Sequence, residues 1–542
     1  MLYSKHYSPK VTPQTEEIPG KKMVKNAAGG YAFAITPQSM LVRFLILGTE
    51  GGTYYTGESK LTKDSAKNVI KCITEDGLAT VDTIVDVSVN GRAPKNSPAL
   101  YALALCTSPQ FASVETRRAA FKALHKVARI STHLFEFITY MKTIRGWGKL
   151  AKTSVADWYQ LRDLGSLEYQ VVKYRKRLGW THNDVLRLAK PVPNSPERSQ
   201  LYEFAKNNKI VGDHNFGLIE GFCKVQEATS VKDVVNCINK YKIPMETIPT
   251  QFKKETKVWE ALLPNLPITA TIRNLRNMAK YGVLDPMSDT ASEVADRIAN
   301  VEVISKARVH PMQFLNAICI YPSGGSESGH EKSSWMYSPP VSNSVWKVSP
   351  KIVEALNTGF MSSFGNIEAT GKRTLIALDV SGSMGWNFCA GAKEISAREA
   401  SAAMAMVTVN TEKDYMVGVF TRRFEQFNGI RRGTFIDEAV KSVSNIPFGG
   451  TDCAQPMLWS VASGIPFDVI QIFTDNETWA GKVHPCQALE THRQKFGIPT
   501  KLVVNGMTAI DSSIADPNDP GMLDVVGFDT ATPEIIAKFV NM

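Results

Sequence analysis

Five oxygen-bearing side chains in the last third of this 542-residue chain have the types and spacing of a cation site. Asp379, Ser381 and Ser383 form a D-x-S-x-S run directly after the apolar stretch TLIAL; Thr451 follows Gly449 and Gly450; Asp475 closes the run DVIQIFT. Carboxylate and hydroxyl oxygens suit a hard divalent cation, expected to be Mg²⁺, and so small a number of charges leaves the ion electrophilic enough to take another oxygen from an anionic partner. The competing reading makes Ser381-Gly382-Ser383 a tight turn, with Asp379 capping the next helix. A phosphoryl-transfer site built on a strand-terminal Asp nucleophile needs a second Asp two residues on, and this chain has Ser381 there. No G-x-x-x-x-G-K-[ST], H-E-x-x-H or G-x-S-x-G run supports catalysis elsewhere. The expectation is a protein that is not an enzyme, with a metal-dependent phosphoryl enzyme as the alternative.

A second cluster is cationic. Between Lys142 and Lys190 lie Lys142, Arg145, Lys149, Lys152, Arg162, Lys173, Arg175, Lys176, Arg177, Arg187 and Lys190, against only Asp157, Asp163, Glu168 and Asp184. Trp147, Trp158, Tyr159, Tyr169, Tyr174 and Trp180 are interleaved with them, and His182 is close by. Cations along helices contact phosphates, and aromatic or guanidinium planes stack unpaired bases, which favours RNA with helical and single-stranded parts. The bland alternative is a solvated helix face with its aromatics turned inward. His182 by itself reads as easily as a core or cap histidine, because Thr181 can cap a helix through Val185 and Leu188.

The elements that must position these residues fall into two classes. Over residues 30–310 apolar residues recur at three- and four-residue spacing, as in Ala119–Met141, Val258–Leu263, Ile268–Met278 and Val294–Val303, which predicts a bundle or solenoid of amphipathic helices. Tyr321–Pro350, rich in Ser, Pro and Gly, reads as a linker or a functional surface loop. Beyond residue 366 short apolar strands (Thr374–Asp379, Tyr415–Phe420, Asp468–Thr474, Lys501–Val504, Asp524–Gly527) alternate with helices, the pattern of a parallel sheet covered on both faces. Ligands of such sheets sit beyond the carboxyl ends of the strands, where Asp379 and Asp475 fall.

Charge divides the same way. Residues 366–542 hold 15 basic and 20 acidic residues, a net −5, so the overall +10 leaves +15 on residues 1–365. A polyanion suits the first part and a cation the second. The eight cysteines are scattered with no C-x-x-C pair, the pattern of reduced thiols, and the N-terminal run MLYSKHYSPKVTPQTEE has no apolar core of a signal peptide. The longest apolar run, Ala99–Cys106, is far below the ~20 residues of a bilayer span. The expectation is a cytoplasmic protein with a possible nuclear pool and no membrane partner.

D-x-S-x-S after a strand, a later Thr and a strand-terminal Asp resemble the metal-ion-dependent adhesion site of von Willebrand factor A domains. That resemblance implies that Ser381, Ser383 and Thr451 bind the ion directly, with Asp379 and Asp475 joining directly or through water. GGYAFAITPQSMLVRFLILGTEGGTYY (Gly29–Tyr55), YRKRLGWTHNDVLRLAKP (Tyr174–Pro191) and VWEALLPNLPITATIRNLRNMAKYGVL (Val258–Leu284) resemble the TROVE module shared by telomerase-associated, Ro and vault proteins. A TROVE module over residues 1–365 followed by an A domain over 366–542 resembles the Ro family, protein components of Ro ribonucleoproteins. The resemblance implies an all-α ring of HEAT-like repeats whose ends are brought together by an α/β A domain. It further implies Y RNA on a basic outer surface, and single-stranded 3′ ends of misfolded noncoding RNAs, such as defective 5S rRNA precursors, entering the hole. The function implied is noncoding-RNA quality control and small-RNA stabilisation. Lys142, Arg145, Lys149, Lys152, Lys173, Arg175, Lys176, His182, Arg187 and Lys190 are the positions assigned to RNA. An adhesion-like module that takes an acidic protein ligand at the metal site is the alternative from a different class.

Overall fold

The computed structural model describes residues 11–49, 53–324, 345–365, 367–388 and 395–542. The greater part of the expected linker, residues 325–344, lies outside the described residues. The chain forms two compact units: one joins residues 1–68 and 92–95 to 364–542, the other comprises residues 69–91 and 96–363.

The first unit is built on a six-stranded sheet in the order Met522–Val526, Lys501–Gly506, Val469–Thr474, Thr374–Asp379, Tyr415–Phe420, Phe424–Gln426. All neighbours run parallel except the last pair. The central strands TLIALD and VIQIFT are buried along their whole length, as expected for strands covered on both faces. Alternation sends Leu375, Ala377, Ile470, Ile472, Leu502 and Val504 into one core, while Val469, Val503 and Val525 meet Ile536 and Val540 of the C-terminal helix Thr532–Asn541. The chain leaves Thr374–Asp379 toward Tyr415–Phe420 on one side and later returns to pair Val469–Thr474 on the other. That reversal creates a crevice at the carboxyl ends of the two central strands.

The N-terminal residues through Asn68 belong to this compact unit, whose bounds therefore differ from the division expected at residue 365. Strand Tyr31–Ala34 pairs with Val24–Lys25 and with Ser512–Ser513, and Ile18, Met23 and Phe33 enter the same core as Leu375 and Ile472. Gln14 is fully buried and satisfied four ways: its amide donates to Asp452 (2.7 Å) and the Val483 carbonyl (2.8 Å), while its oxygen accepts from Thr478 Oγ1 (2.6 Å) and Gly481 N (3.1 Å). Arg43, buried on the helix Pro37–Leu47, forks onto Asp524 (2.5 and 2.7 Å) and reaches the carbonyls of Ile510 and Ser512. Gly30 passes so near that a Cβ there would sit 2.0 Å from the Thr478 carbonyl oxygen. These contacts join residues more than 400 positions apart, so no local pattern announces them.

Among its described residues, the second unit consists of helices apart from one short hairpin. The periodic run expected over Ala119–Met141 is two helices, Val114–Val127 and Ser131–Ile144, and the break has a visible cause. The carbonyl of Ala128 accepts from Trp158 Nε1 (2.5 Å) and Arg162 Nη2 (3.1 Å), and Arg162 also takes the Arg129 carbonyl (2.9 Å). The same device recurs. Arg198 holds the carbonyls of Tyr159 (2.6 Å) and Arg162 (2.7 Å), and Arg297 holds those of Leu263 (2.9 Å) and Leu266 (2.5 Å). Each arginine reaches back 31 to 39 residues to main-chain carbonyls at or near a helix end, the spacing of a helix pair. This is the repeat, expressed in side chains too few to stand out in the sequence. The Val294–Val303 run likewise divides at Asn300, which caps the helix Val301–Ala307.

Removing one partner of a buried, hydrogen-bonded charge pair strands the other. Arg43→Met should therefore lower the stability of the α/β unit by about 3 kcal/mol, read as an earlier urea midpoint of its unfolding. An unchanged midpoint would show that the N-terminal segment is not part of that cooperative unit.

Candidate metal centre and cationic surface

Asp379 ends the strand Thr374–Asp379, and Asp475 follows the strand Val469–Thr474 by one residue. The parallel register, with Leu378 opposite Phe473, brings Asp379 level with Thr474 and leaves Asp475 one residue beyond, at the mouth of the crevice. Each is oriented by neutral donors. Asp379 accepts from Ser381 N (2.9 Å) and Thr474 Oγ1 (2.7 Å), and Asp475 accepts from Glu477 N (3.1 Å) and Asn387 Nδ2 (3.1 Å). Ser381 and Ser383 bring their hydroxyls to 3.3 Å of one another. Thr451 is held to the same rim on two sides: the next amide, Asp452 N, donates to the Thr421 carbonyl just past Phe420, and the Thr451 carbonyl accepts from Trp479 and Ala480 N, just past Asp475. Gly449 and Gly450 allow that approach, because a Cβ at Gly449 would meet the Thr421 side chain at 2.7 Å.

All five residues are at most 2% exposed. Burial pushes both carboxyls above the ordinary carboxylate range, and for Asp475 the charge of Asp379 adds to the shift. The one guanidinium that offsets Asp379, Arg398, spends its hydrogen bonds on the carbonyls of Val380, Val443 and Ile446. Among the described residues no Lys or Arg forms an ion pair with Asp379 or Asp475. Nor does any cluster of three or more His, Cys, Asp or Glu form a metal site among them, so hydroxyls must complete this donor set. Two buried carboxylates without a paired cation, with the Ser381 and Ser383 hydroxyls beside them and Thr451 on the same rim, fit a hard divalent ion rather than zinc. Sequence reasoning missed Asn387, Thr474 and Tyr55. Thr474, a polar residue at the end of an apolar strand, carried a signal; Tyr55, more than 300 residues from the motif, carried none.

The cationic residues divide by exposure. Lys142, Lys149, Lys152, Lys176, Arg177, Arg187 and Lys190 are exposed. Lys176 and Arg177 stand on a two-residue hairpin paired with Trp180 and Thr181, which turns through Leu178 (φ 49°) and Gly179 (φ 83°). Positive φ at both central residues matches the twist of the hairpin strands, and Leu178 takes it without the freedom of glycine. Lys142 lies 5.3 Å over the Trp180 ring, at the base of the hairpin. Arg175, Lys176, Thr181, His182, Asn183, Lys206 and Asn208 are among the residues lining a cavity of about 310 Å³.

Three of the residues assigned to RNA have partners within the helical packing. Arg145 bonds the Thr107 carbonyl (3.0 Å) and packs on Phe121. Lys173 is engaged with the Tyr169 hydroxyl (2.8 Å) and Glu246 (3.6 Å). His182 is 3% exposed. Their polar groups serve the helical packing first. The aromatics follow the bland reading, with Trp158 and Tyr159 fully buried and the other four half-buried.

Thr181 caps the helix His182–Ala189 in a capping box with Asp184, so His182 begins that helix and turns inward. Its Nδ1 meets the Tyr159 hydroxyl (2.9 Å) and its ring packs edge-on against Phe135, while Nε2 lies near the main chain of Gln170 and Tyr174 without a well-formed hydrogen bond. Burial lowers its pKa to about 4. Above the unfolded value of 6.5 the ring is neutral in both states and its contribution is complete. Between 6.5 and 4 the unfolded chain takes up a proton that the folded chain refuses, so stability falls with pH by up to about 1.4 kcal/mol per unit. His182→Gln should flatten the pH dependence of urea stability between pH 6.5 and 4.5; an unaltered slope would show that His182 is not the titrating group.

Comparison with known proteins agrees with both halves. Residues 373–540 match the Ro60 vWA domain family, and residues 24–242 and 239–323 match the TROVE domain. The chain is 36% identical over 534 residues to the protein named RNA-binding protein RO60 of Deinococcus radiodurans, covering 98% of this chain and 97% of that one. It is 30% identical to the RNA-binding protein RO60 of Caenorhabditis elegans, with 98% and 92% covered. The crystal structure of the Deinococcus radiodurans RO (RSR) protein superposes with a TM-score of 0.70 at 35% identity, over 93% of this chain and 99% of that one. With a D-x-S-x-S rim in an A-type sheet and a helical TROVE region, and with likeness extending over nearly the whole length, the chain belongs to the Ro60 family.

Proposed function

We propose that this chain is a noncatalytic RNA-binding protein that holds small Y RNAs and misfolded noncoding RNAs, such as defective 5S rRNA precursors. In this role it serves small-RNA stabilisation and noncoding-RNA quality control. The observation that carries the reading is the exposed set Lys142, Lys176, Arg177, Arg187 and Lys190, three of which stand on or against a hairpin beside the Arg175–Asn183 cavity. The near full-length likeness to two proteins named for RNA binding supports it. Cations held on short, well-anchored elements suit duplex phosphates, and the cavity wall supplies amide, hydroxyl and guanidinium donors for an unpaired nucleotide. The absence of a second carboxylate two residues after Asp379 argues against phosphoryl transfer.

At the rim, Ser381, Ser383 and Thr451 would hold a divalent cation, probed as Mg²⁺, with Asp379 and Asp475 balancing its charge. The ion would supply a Lewis-acidic point for an anionic oxygen, such as that of an acidic protein ligand. No disulfide joins the seven described cysteines to one another, which suits a reducing compartment such as the cytoplasm, with or without a nuclear pool. No helix among the described residues is long and apolar enough to cross a membrane.

The test is a titration of a hairpin RNA with and without an unpaired 3′ tail at several salt concentrations. The tailed RNA should bind more tightly, and neutralising about six phosphates of an unpaired strand would give a log-log salt slope near −4. Equal affinities without salt dependence would reject the reading. Lys176→Ala with Arg177→Ala should make that slope shallower by about one for each phosphate no longer neutralised. Asp379→Ala with Ser381→Ala should abolish Mn²⁺ binding and leave RNA affinity unchanged; a matching fall in RNA affinity in folded protein would contradict the separation of the two sites.

A further inference from the structure

The rim is covered by a segment of the chain that is remote from it in sequence. Residues Thr53–Thr56 close a turn, with Thr53 N donating to the Thr56 carbonyl (2.7 Å) and Thr56 N to Thr53 Oγ1 (3.0 Å). Tyr54 N donates to Asn387 Oδ1, and the same Asn387 donates through Nδ2 to Asp475. The Tyr54 ring tilts toward Trp386 at 6.3 Å and meets Tyr55 edge-on at 4.8 Å. The Tyr55 hydroxyl lies near Ser383, and burial, with the charges of Asp475 and Glu477 close by, pushes its pKa up to about 12. An oxygen of the chain itself therefore stands against two of the five rim residues, while none of the five offers an exposed oxygen.

We infer that the Tyr54–Tyr55 turn is an intrinsic occupant of the rim: the Tyr55 phenol oxygen holds the place beside Ser383 and Asp475 that an external carboxylate must take to reach a bound cation. The inference rests on the reading of the rim as a divalent-cation site. Charge decides the competition. A neutral phenol tolerates two carboxylates, whereas an external anion is repelled by them until a cation is present; with the cation bound, an anionic oxygen is a stronger ligand than a phenol. Among the described residues, the exposed Tyr54 ties the turn to Asn387 through a main-chain hydrogen bond and to Trp386 through its ring, and neither of these partners is a residue of the sheet. Trp386 and Phe448, both exposed beside the site, would then line the entry. Cation binding and ligand access thus become one linked event, with the N-terminal turn as the element displaced.

The experiment uses the full chain with Mn²⁺ as the ion and acetate as the carboxylate probe. Electron paramagnetic resonance gives Mn²⁺ affinity, and water-proton relaxation reports exchangeable water on the ion and its displacement by acetate. Tyr55→Phe keeps the ring and removes only the oxygen. It should raise the relaxation enhancement and tighten acetate binding by about two- to tenfold, without loss of Mn²⁺ affinity. Tyr55→Ala should exceed it, and if that variant fails to fold, Tyr55→Phe carries the test alone. Equal acetate affinity in wild type and Tyr55→Phe overturns the inference while leaving the cation reading standing. A loss of Mn²⁺ affinity in Tyr55→Phe also overturns it, by making Tyr55 a residue that positions Ser383. Failure of the wild type to bind Mn²⁺ removes both, and is recognised before any acetate is added.

Discussion

The mutual repulsion of Asp379 and Asp475 is the constraint around which the α/β unit is arranged. Parallel pairing of their strands leaves no freedom to separate them, and burial denies them water. Such a pair holds its place only when something positive shares it, whether a proton or a cation. The surroundings are built to orient the two groups without neutralising them: every direct hydrogen bond they accept comes from an uncharged donor, Ser381, Thr474, Glu477 N or Asn387. A lysine in that position would satisfy the charge and leave no need for an ion. Arg398, by contrast, lies within electrostatic reach of Asp379 yet is bonded to main-chain carbonyls.

The N-terminal segment completes that arrangement. Gln14 knits the loop after Asp475 to the loop after Thr451, since it bonds Thr478, Gly481 and Asp452 together. Asn26 holds the Thr478 carbonyl (2.8 Å), and Ala28 N donates to Glu477 (2.9 Å), whose carboxyl burial raises to about 7. The loops that carry the candidate ligands are thereby fixed from behind by residues 11–48. A division of the chain by composition alone cuts these contacts, which is why the sequence boundary and the compact unit differ.

What could be read from the sequence was whatever is local. The strands flanking Asp379 and Asp475 are short, apolar and β-branched, and their ends fall within a residue or two of expectation. The pairing of Tyr31–Ala34 with Ser512–Ser513 depends on a distant partner and has no local signature, and the edge strand Phe424–Gln426 is a short return of Tyr415–Phe420 too polar to stand out. In the helical unit, apolar period alone gave the existence of helices but ran through the breaks at Ala128–Ile130 and Asn300, because the carbonyls freed there are taken by Trp158 and Arg162 or capped by Asn300. His182 shows the same limit for a site residue. Its helix start was legible from Thr181 and Asp184, whereas its burial against Phe135 and Tyr159 was a matter of tertiary packing.

The positive charge of the first 365 residues also means less, and something more specific, than its total. Arginine and lysine are used differently in the helical unit. Arg162, Arg198 and Arg297 spend their planar forks on pairs of main-chain carbonyls, a task for which a point-like ammonium is poorly shaped. Lys142, Lys149, Lys152, Lys176 and Lys190 remain at the surface, where a flexible ammonium follows a phosphate backbone of changing shape. The internal arginines still contribute to the long-range field that draws a polyanion in, but they cannot touch it without releasing the helix ends they hold. Replacing one of these internal arginines therefore disturbs the helix packing first, a duty that the surface lysines do not carry.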